Sequence, residues 1–230
     1  MKRNLNWLLC VIFAFGWLVL FANEAVSKEI AIITCYGSGE VAFIDIEKAK
    51  VLKTIKLKDQ ASLPIDVAIT PDGETAVVTC NTGYICFIDV KKMKCRKTLK
   101  LLSGPEQYGI SLQPNEFSHV CITSNGKTAI VTEQNELGQI FKFDIETMAL
   151  LGEPFYLGDE PGRIIINSNT SPHEFYVLDN GSIHILKKGS LPYFVPTPAG
   201  NDEIDDFALT PDGSRVIFVD SDNWIYLIST

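Results

Sequence analysis

The sequence predicts an all-β fold built from repeated four-stranded antiparallel units, and three observations carry that prediction. A phrase of turn plus apolar strand recurs along the chain: TPDGETAVVT (Thr70–Thr79), TSNGKTAIVT (Thr123–Thr132), a worn copy NTSPHEFYVL (Asn169–Leu178) and TPDGSRVIFV (Thr210–Val219). Successive copies start 53, 46 and 41 residues apart. Between them lie short runs rich in β-branched and aromatic residues, bounded by Gly- and Asn-bearing turns, with no long helical period after the amino-terminal segment. Units of four short strands at this period stack as the blades of a β-propeller, because each small twisted sheet buries its faces only against a neighbour.

The chain opens with MKRNLNW, carrying Lys2 and Arg3, followed by the apolar run Leu8–Ala22 and a polar break with Ala25 and Ser27 in small-residue positions. This is the three-part pattern of a secretory signal peptide over residues 1–27, with cleavage expected after Ser27. The competing reading is an uncleaved anchor, but the apolar run is shorter than the about 20 residues a membrane-spanning helix needs. Residues 28–230 are then one repeat domain, exported to a periplasm, the cell surface or the medium, with no membrane attachment after cleavage. Loss of Met1–Ser27 removes Lys2, Arg3 and Glu24, leaving 18 basic and 27 acidic residues, a formal charge of −9. So acidic a chain is repelled by phosphate backbones, and no nucleic-acid partner is expected.

Each unit reads in the same order. After the turn and strand comes a short loop (YGSGE, NTGY, QNELGQ, DNGS, DSDN), whose Gly and Asn accept the positive φ of a hairpin. A further strand follows: VAFIDI, ICFIDV, IFKFDI, IHIL and WIYLI. An outer run closes the unit, VLKTIKL, RKTLKL and ALLGEPFYL, with a looser LPYFVPTP in the fourth. A last, inner run precedes each turn: IDVAIT, HVCIT, RIIIN and DDFALT. In the turn itself, Pro71 and Pro211 preset φ, Asp72 and Asp212 hydrogen-bond locally, and Gly73 and Gly213 take the left-handed position. Both aspartates are therefore read as turn formers. Asp45, Asp89 and Asp144 recur at strand ends and are read as caps of the following loop.

TPDG, then VVT, a Gly-bearing turn, FID and K-T-I/L-K-L together resemble the YVTN-type β-propeller repeat family, surface-layer-like and periplasmic propellers. The resemblance spans about Glu29–Thr230 and is weakest near Asn169. It implies a scaffold and no particular activity. The family's Tyr-Val-Thr-Asn stands here as IITC, VVTC, IVTE, YVLD and IFVD. The runs number 18, or four and a half blades, which reads either as an irregular ring of about five blades or as the amino-terminal part of a larger ring.

Five cysteines follow residue 27: Cys35, Cys80, Cys86, Cys95 and Cys121. An odd number leaves at least one thiol outside any intramolecular pair. No CxxC occurs, most are expected to fill strands as small apolar residues, and Cys80 and Cys86, flanking one turn, are the candidate disulfide. The catalytic inventory is thin, with His119, His173 and His184 as the histidines and no HExxH, GxSxG or phosphate-cradling loop. DSDN (Asp220–Asn223) lacks the glycine and distal glutamate of a calcium loop, so neither a metal site nor a cofactor is expected.

Charge placement says more. Glu47–Lys58 and Lys91–Lys100, the outer runs of the first two units, hold 11 of the 18 basic residues after Ser27. The segments entering the inner strands hold Asp59, Asp66, Glu106, Asp159, Glu160, Asp202, Glu203, Asp205 and Asp206. In a propeller those segments converge on one mouth of the channel, so the expectation is an acidic funnel and a basic outer rim. Asp66, Glu106, Asp159, Glu160, Asp202, Asp205 and Asp206 are the candidate binders of a cation or basic partner. The leading functional reading is a non-catalytic scaffold binding a protein, peptide or envelope component through that loop-bearing face. Its rival is a propeller enzyme of lactonase or oxidoreductase type using Asp66, Asp205 and Asp206.

Overall fold

The computed structural model describes residues 29–57, 63–101, 117–134, 138–157, 161–170, 174–179, 182–187, 193–196, 204–220 and 224–229. Residues 1–27, expected from the sequence to be a signal peptide, and Glu106, Asp159, Glu160 and Asp202 lie outside them. Strands form five antiparallel sheets in chain order. The first comprises β1 (Ile30–Cys35), β2 (Glu40–Asp45) and β3 (Lys50–Lys56). The second comprises β4 (Pro64–Ile69), β5 (Thr75–Cys80), β6 (Tyr84–Asp89) and β7 (Lys94–Lys100). In the third, β8 (Phe117–Ile122), β9 (Thr128–Glu133) and β10 (Gln139–Asp144) are followed by β11 (Ala149–Leu150) and β12 (Phe155–Tyr156), both paired with β10. The fourth holds β13 (Ile164–Asn167), β14 (Glu174–Asp179), β15 (Ser182–Lys187) and β16 (Tyr193–Pro196), and the fifth β17 (Ile204–Leu209), β18 (Arg215–Asp220) and β19 (Ile225–Ser229). The protein is a β-propeller.

Two local differences from the sequence reading have plain causes. ALLGEPFYL is two short strands rather than one, because Gly152 sits at φ 68° and Pro154 has no N–H to give the ladder. The disulfide joins Cys86 to Cys95, not to Cys80, which is buried and outside any disulfide. Cys86 faces Val78 across the ladder, so Cys80 is its diagonal neighbour. Diagonal Cα atoms stand about 7–8 Å apart, beyond the usual reach of a disulfide, whereas Cys95 on β7 is 6.5 Å away.

The turns show why the phrase repeats. Asp72 Oδ1 accepts from the Thr70 hydroxyl (2.5 Å) and the Glu74 N–H (2.9 Å), while the Gly73 N–H donates to the Thr70 carbonyl (2.8 Å) with φ at 72°. Asp212 does the same with Thr210 (2.5 Å) and Ser214 (3.1 Å), and Asn125 substitutes for aspartate in the third sheet, bonded to Thr123 (2.8 Å) and the Lys127 N–H (3.0 Å). These hydrogen bonds hold both carboxyls below their ordinary range, Asp212 at about 2. Asp45, Asp89 and Asp144 each accept the backbone N–H three residues on, at 3.1, 2.8 and 2.7 Å. The tight turns they cap place Ala49, Met93 and Met148 at φ near +50°, a conformation that side chains other than glycine adopt only when the surroundings enforce it.

The core lies between sheets rather than within any one. Val41 and Phe43 of the first sheet meet Val78, Cys86 and Ile88 of the second. The opposite face of the second, Val77, Ile85 and Phe87, meets Phe117, Val131 and Phe143 of the third. Ile130 and Ile140 then pack on Ile164 and Val177, and Tyr176 and Ile183 on Phe207 and Phe218. A hydroxyl ties the first four sheets together at one repeated position. Thr34, Thr79 and Thr132, the threonines of IIT, VVT and IVT, donate to the carbonyls of Ile65 (3.0 Å), Ser118 (3.0 Å) and Gly162 (2.8 Å), each at the start of the next sheet's innermost segment. Leu178 and Val219 hold the equivalent places in the last two sheets.

Candidate functional site

The innermost strands β4, β8, β13 and β17 pack in succession. One register position on this inner wall, four residues before the turn threonine or its substitute Asn167, is occupied by Asp66, His119, Arg163 and Asp206. The four lie at the end where each inner strand begins. β-Bulges between Pro64 and Val67, Phe117 and Val120, and Ile204 and Asp206 interrupt the ladders at that point. A bulge inserts a residue and re-aims its neighbours, which is how a strand otherwise devoted to packing presents a charged side chain to the wall.

The position is arranged as two pairs. Asp66 Oδ2 is 3.2 Å from His119 Nδ1 and accepts the Val120 N–H (3.1 Å), both on the next sheet, while its Oδ1 accepts the Val67 N–H (2.8 Å). Burial alone would raise the carboxyl's affinity for a proton. The His119 and backbone hydrogen bonds, with the imidazole's charge, outweigh it, so Asp66 is held below its ordinary value and is ionised. Arg163 Nη1 contacts both carboxylate oxygens of Asp206 (2.5 and 2.7 Å), and Asp206 Oδ1 accepts its own following N–H, from Phe207 (2.8 Å), as Asp66 does from Val67. Two buried hydroxyls lie behind: Ser118 Oγ is 2.9 Å from Thr132 Oγ1, which receives the His119 N–H (3.2 Å).

Asp66, His119, Arg163, Cys121 and Ser168 line a cavity of about 490 Å³ together with the apolar face of Ile164–Ile166. The Cys121 thiol is pushed up, first by burial and then by the Asp66 charge, so it is protonated at neutral pH and is no nucleophile. The wall offers exposed charges of both signs beside an apolar surface, and one imidazole oriented by a carboxylate. Among the described residues no group of three metal-ligating side chains converges.

The expected acidic wall carries Arg163 as a counter-charge to Asp206 and the His119 imidazole as the partner of Asp66. Of the seven candidate carboxylates, Asp66 and Asp206 are brought to the wall and each has a partner; Asp205 contributes backbone to β17, and the other four lie outside the described residues. His119 and Arg163 were readable only by aligning the inner runs column by column. Taken singly, each is a polar residue at the start of an apolar strand.

No family model matches the chain, and no curated protein matches its sequence. In fold it is similar to the solved structure described as dihydro-heme d1 dehydrogenase NirN in complex with DHE, with a TM-score of 0.64 at 12% identity over 87% of this chain and 41% of that one. The chain thus spans less than half the length of that structure, and the likeness carries the fold alone. Among the described residues no helix is long and apolar enough to cross a membrane.

Proposed function

We propose that this propeller is an exported, non-catalytic scaffold that binds a protein, peptide or envelope component through the face on which its innermost strands begin. The observation that carries the reading is the register position shared by Asp66, His119, Arg163 and Asp206, which sets an Asp66–His119 hydrogen bond and an Arg163–Asp206 ion pair on the rim of a cavity of about 490 Å³. Arg163 and Asp206 are half exposed, at 45% and 53%. Such a pair is worth little to the fold, so a ligand that exchanges partners with it meets a small cost. A peptide, carrying amide groups and charges of both signs, matches a wall that offers both signs next to Ile164–Ile166.

The test is a photocrosslinking side chain at Ser168 in the protein exported to a bacterial envelope. A discrete adduct that disappears with Arg163→Glu is expected; no adduct, or one indifferent to that charge reversal, refutes the reading. The Asp66–His119 contact favours a second reading, in which the imidazole is a general base held by Asp66 in a propeller enzyme of lactonase type. Lactone hydrolysis abolished by His119→Gln would establish it, and absence of turnover across a lactone series would remove it.

A further inference from the structure

A second concavity lies on the opposite margin of the molecule, between the outermost strands of the first two sheets. It encloses about 450 Å³ and is walled by Lys53 and Lys56 of β3 and by Lys94, Arg96 and Lys97 of β7, over an apolar floor of Ile55, Leu57 and Met93. Among the described residues no carboxylate lines it, in a chain whose formal charge is −8. Lys97 turns its ammonium away, donating to the Met148 carbonyl of the third sheet (2.8 Å). The cleft's charge therefore comes from Lys53, Lys56, Lys94 and Arg96. Glu40 and Asp89 stand opposite Lys56 and Lys94 one strand inward. Asp89 has its ion pair with Lys92 (3.2 Å), outside the cleft, and also feels the charge of Arg96; among the described residues the cations remain in excess.

Lysines on an edge strand also serve to discourage edge-to-edge association. That need does not explain these. The equivalent edge of the third sheet, Ala149–Leu150 and Phe155–Tyr156, carries no cation at all. Among the outermost strands of the first four sheets, basic residues stand on the two that border the cleft. The wall is also fixed, since Cys95 beside Arg96 is bonded to the buried Cys86 of β6.

We propose that this cleft is a binding site for a short chain of phosphate groups. Along an extended strand the three-residue step from Lys53 to Lys56 covers about 10 Å and the two-residue step from Lys94 to Arg96 about 7 Å. A single phosphate reaches only part of that length, whereas a linear oligophosphate runs along both walls. Lysines bind such groups as point charges, and the Arg96 guanidinium adds a planar two-donor contact. The site is independent of the inner-wall reading.

Isothermal titration calorimetry with tripolyphosphate at low ionic strength tests it. One saturable site is expected, weakened at least about tenfold in the Lys53→Glu/Arg96→Glu double variant and by added salt. Lys127→Glu, a charge reversal of the same kind in the β8–β9 turn, is expected to leave the affinity unchanged. Circular dichroism checks that both variants keep the wild-type sheet content. Unchanged affinity in the double variant, equal weakening by Lys127→Glu, or binding to phosphatidylglycerol vesicles with none to tripolyphosphate would each overturn the proposal.

Discussion

Thr79→Val tests the idea that one hydroxyl per unit locks adjacent sheets. Thr79 is fully buried, and its Oγ1 donates to the Ser118 carbonyl of the next sheet at 3.0 Å. Valine keeps the side chain's shape and removes the donor, leaving a buried carbonyl without that partner. A lost buried hydrogen bond of this kind costs about 1–3 kcal/mol. For a domain of this size each kcal/mol corresponds to about 2–4 °C in Tm, so a loss of about 2 kcal/mol lowers Tm by roughly 4–8 °C. Thr34→Val removes the equivalent bond to Ile65 at a half-buried site, where water replaces the donor, and is expected to cost less than about 1 kcal/mol. Thr79→Ser keeps the hydroxyl and gives up one methyl group, about 1 kcal/mol. Urea unfolding followed by Trp224 fluorescence measures all three. A Thr79→Val protein within about 0.3 kcal/mol of wild type, or a Thr79→Ser protein as damaged as Thr79→Val, would refute the reasoning.

Three further outcomes follow from the same structure. Because Asp66 titrates below its ordinary value of 3.8, its charged form favours the fold; that contribution is present above the unfolded value and lost as pH falls through the folded one. Asp66→Asn should flatten the acid limb of urea midpoint against pH, and parallel losses in wild type and variant below about pH 4 would contradict this. Cys95→Ser opens a loop of sequence separation 9, worth about 2.6 kcal/mol in a chain-entropy account, so the variant should melt lower than wild type without reductant and match it with reductant. Gly73→Ala costs the left-handed penalty of about 1–2 kcal/mol, with open space around its new methyl group, whereas at Gly213 the methyl runs into the Asn167 side chain. Gly213→Ala should therefore destabilise more than Gly73→Ala in thermal melts, and the reverse order would show that Asn167 moves aside freely.

Legibility in the sequence followed the range of the interactions. The TPDG turn could be read residue by residue, since Thr70, Asp72 and Gly73 bond within a span of a few residues. The strands could be read from their runs, as could the outer edges of the first two units with their lysines. The broken third edge was also present in the letters, in Gly152 and Pro154, but a continuous apolar run masked it. Cys86 had two neighbours on one sheet face, and the choice between Cys80 and Cys95 depended on ladder register, which the bulge in β7 between the partners of Phe87 and Ile88 shifts.

By itself the sequence determined the unit: its turn chemistry, its four strands, their order and the repetition that makes a propeller. These are consequences of backbone and side-chain preferences that act locally and recur wherever the same residues recur. Only the tertiary structure decided that Asp66 meets His119, 53 residues away, and that Arg163 meets Asp206, 43 residues away. Those contacts join different sheets. They depend on how far each sheet is rotated on the next and on bulges that turn one residue out of the ladder, and neither quantity is written in any single unit.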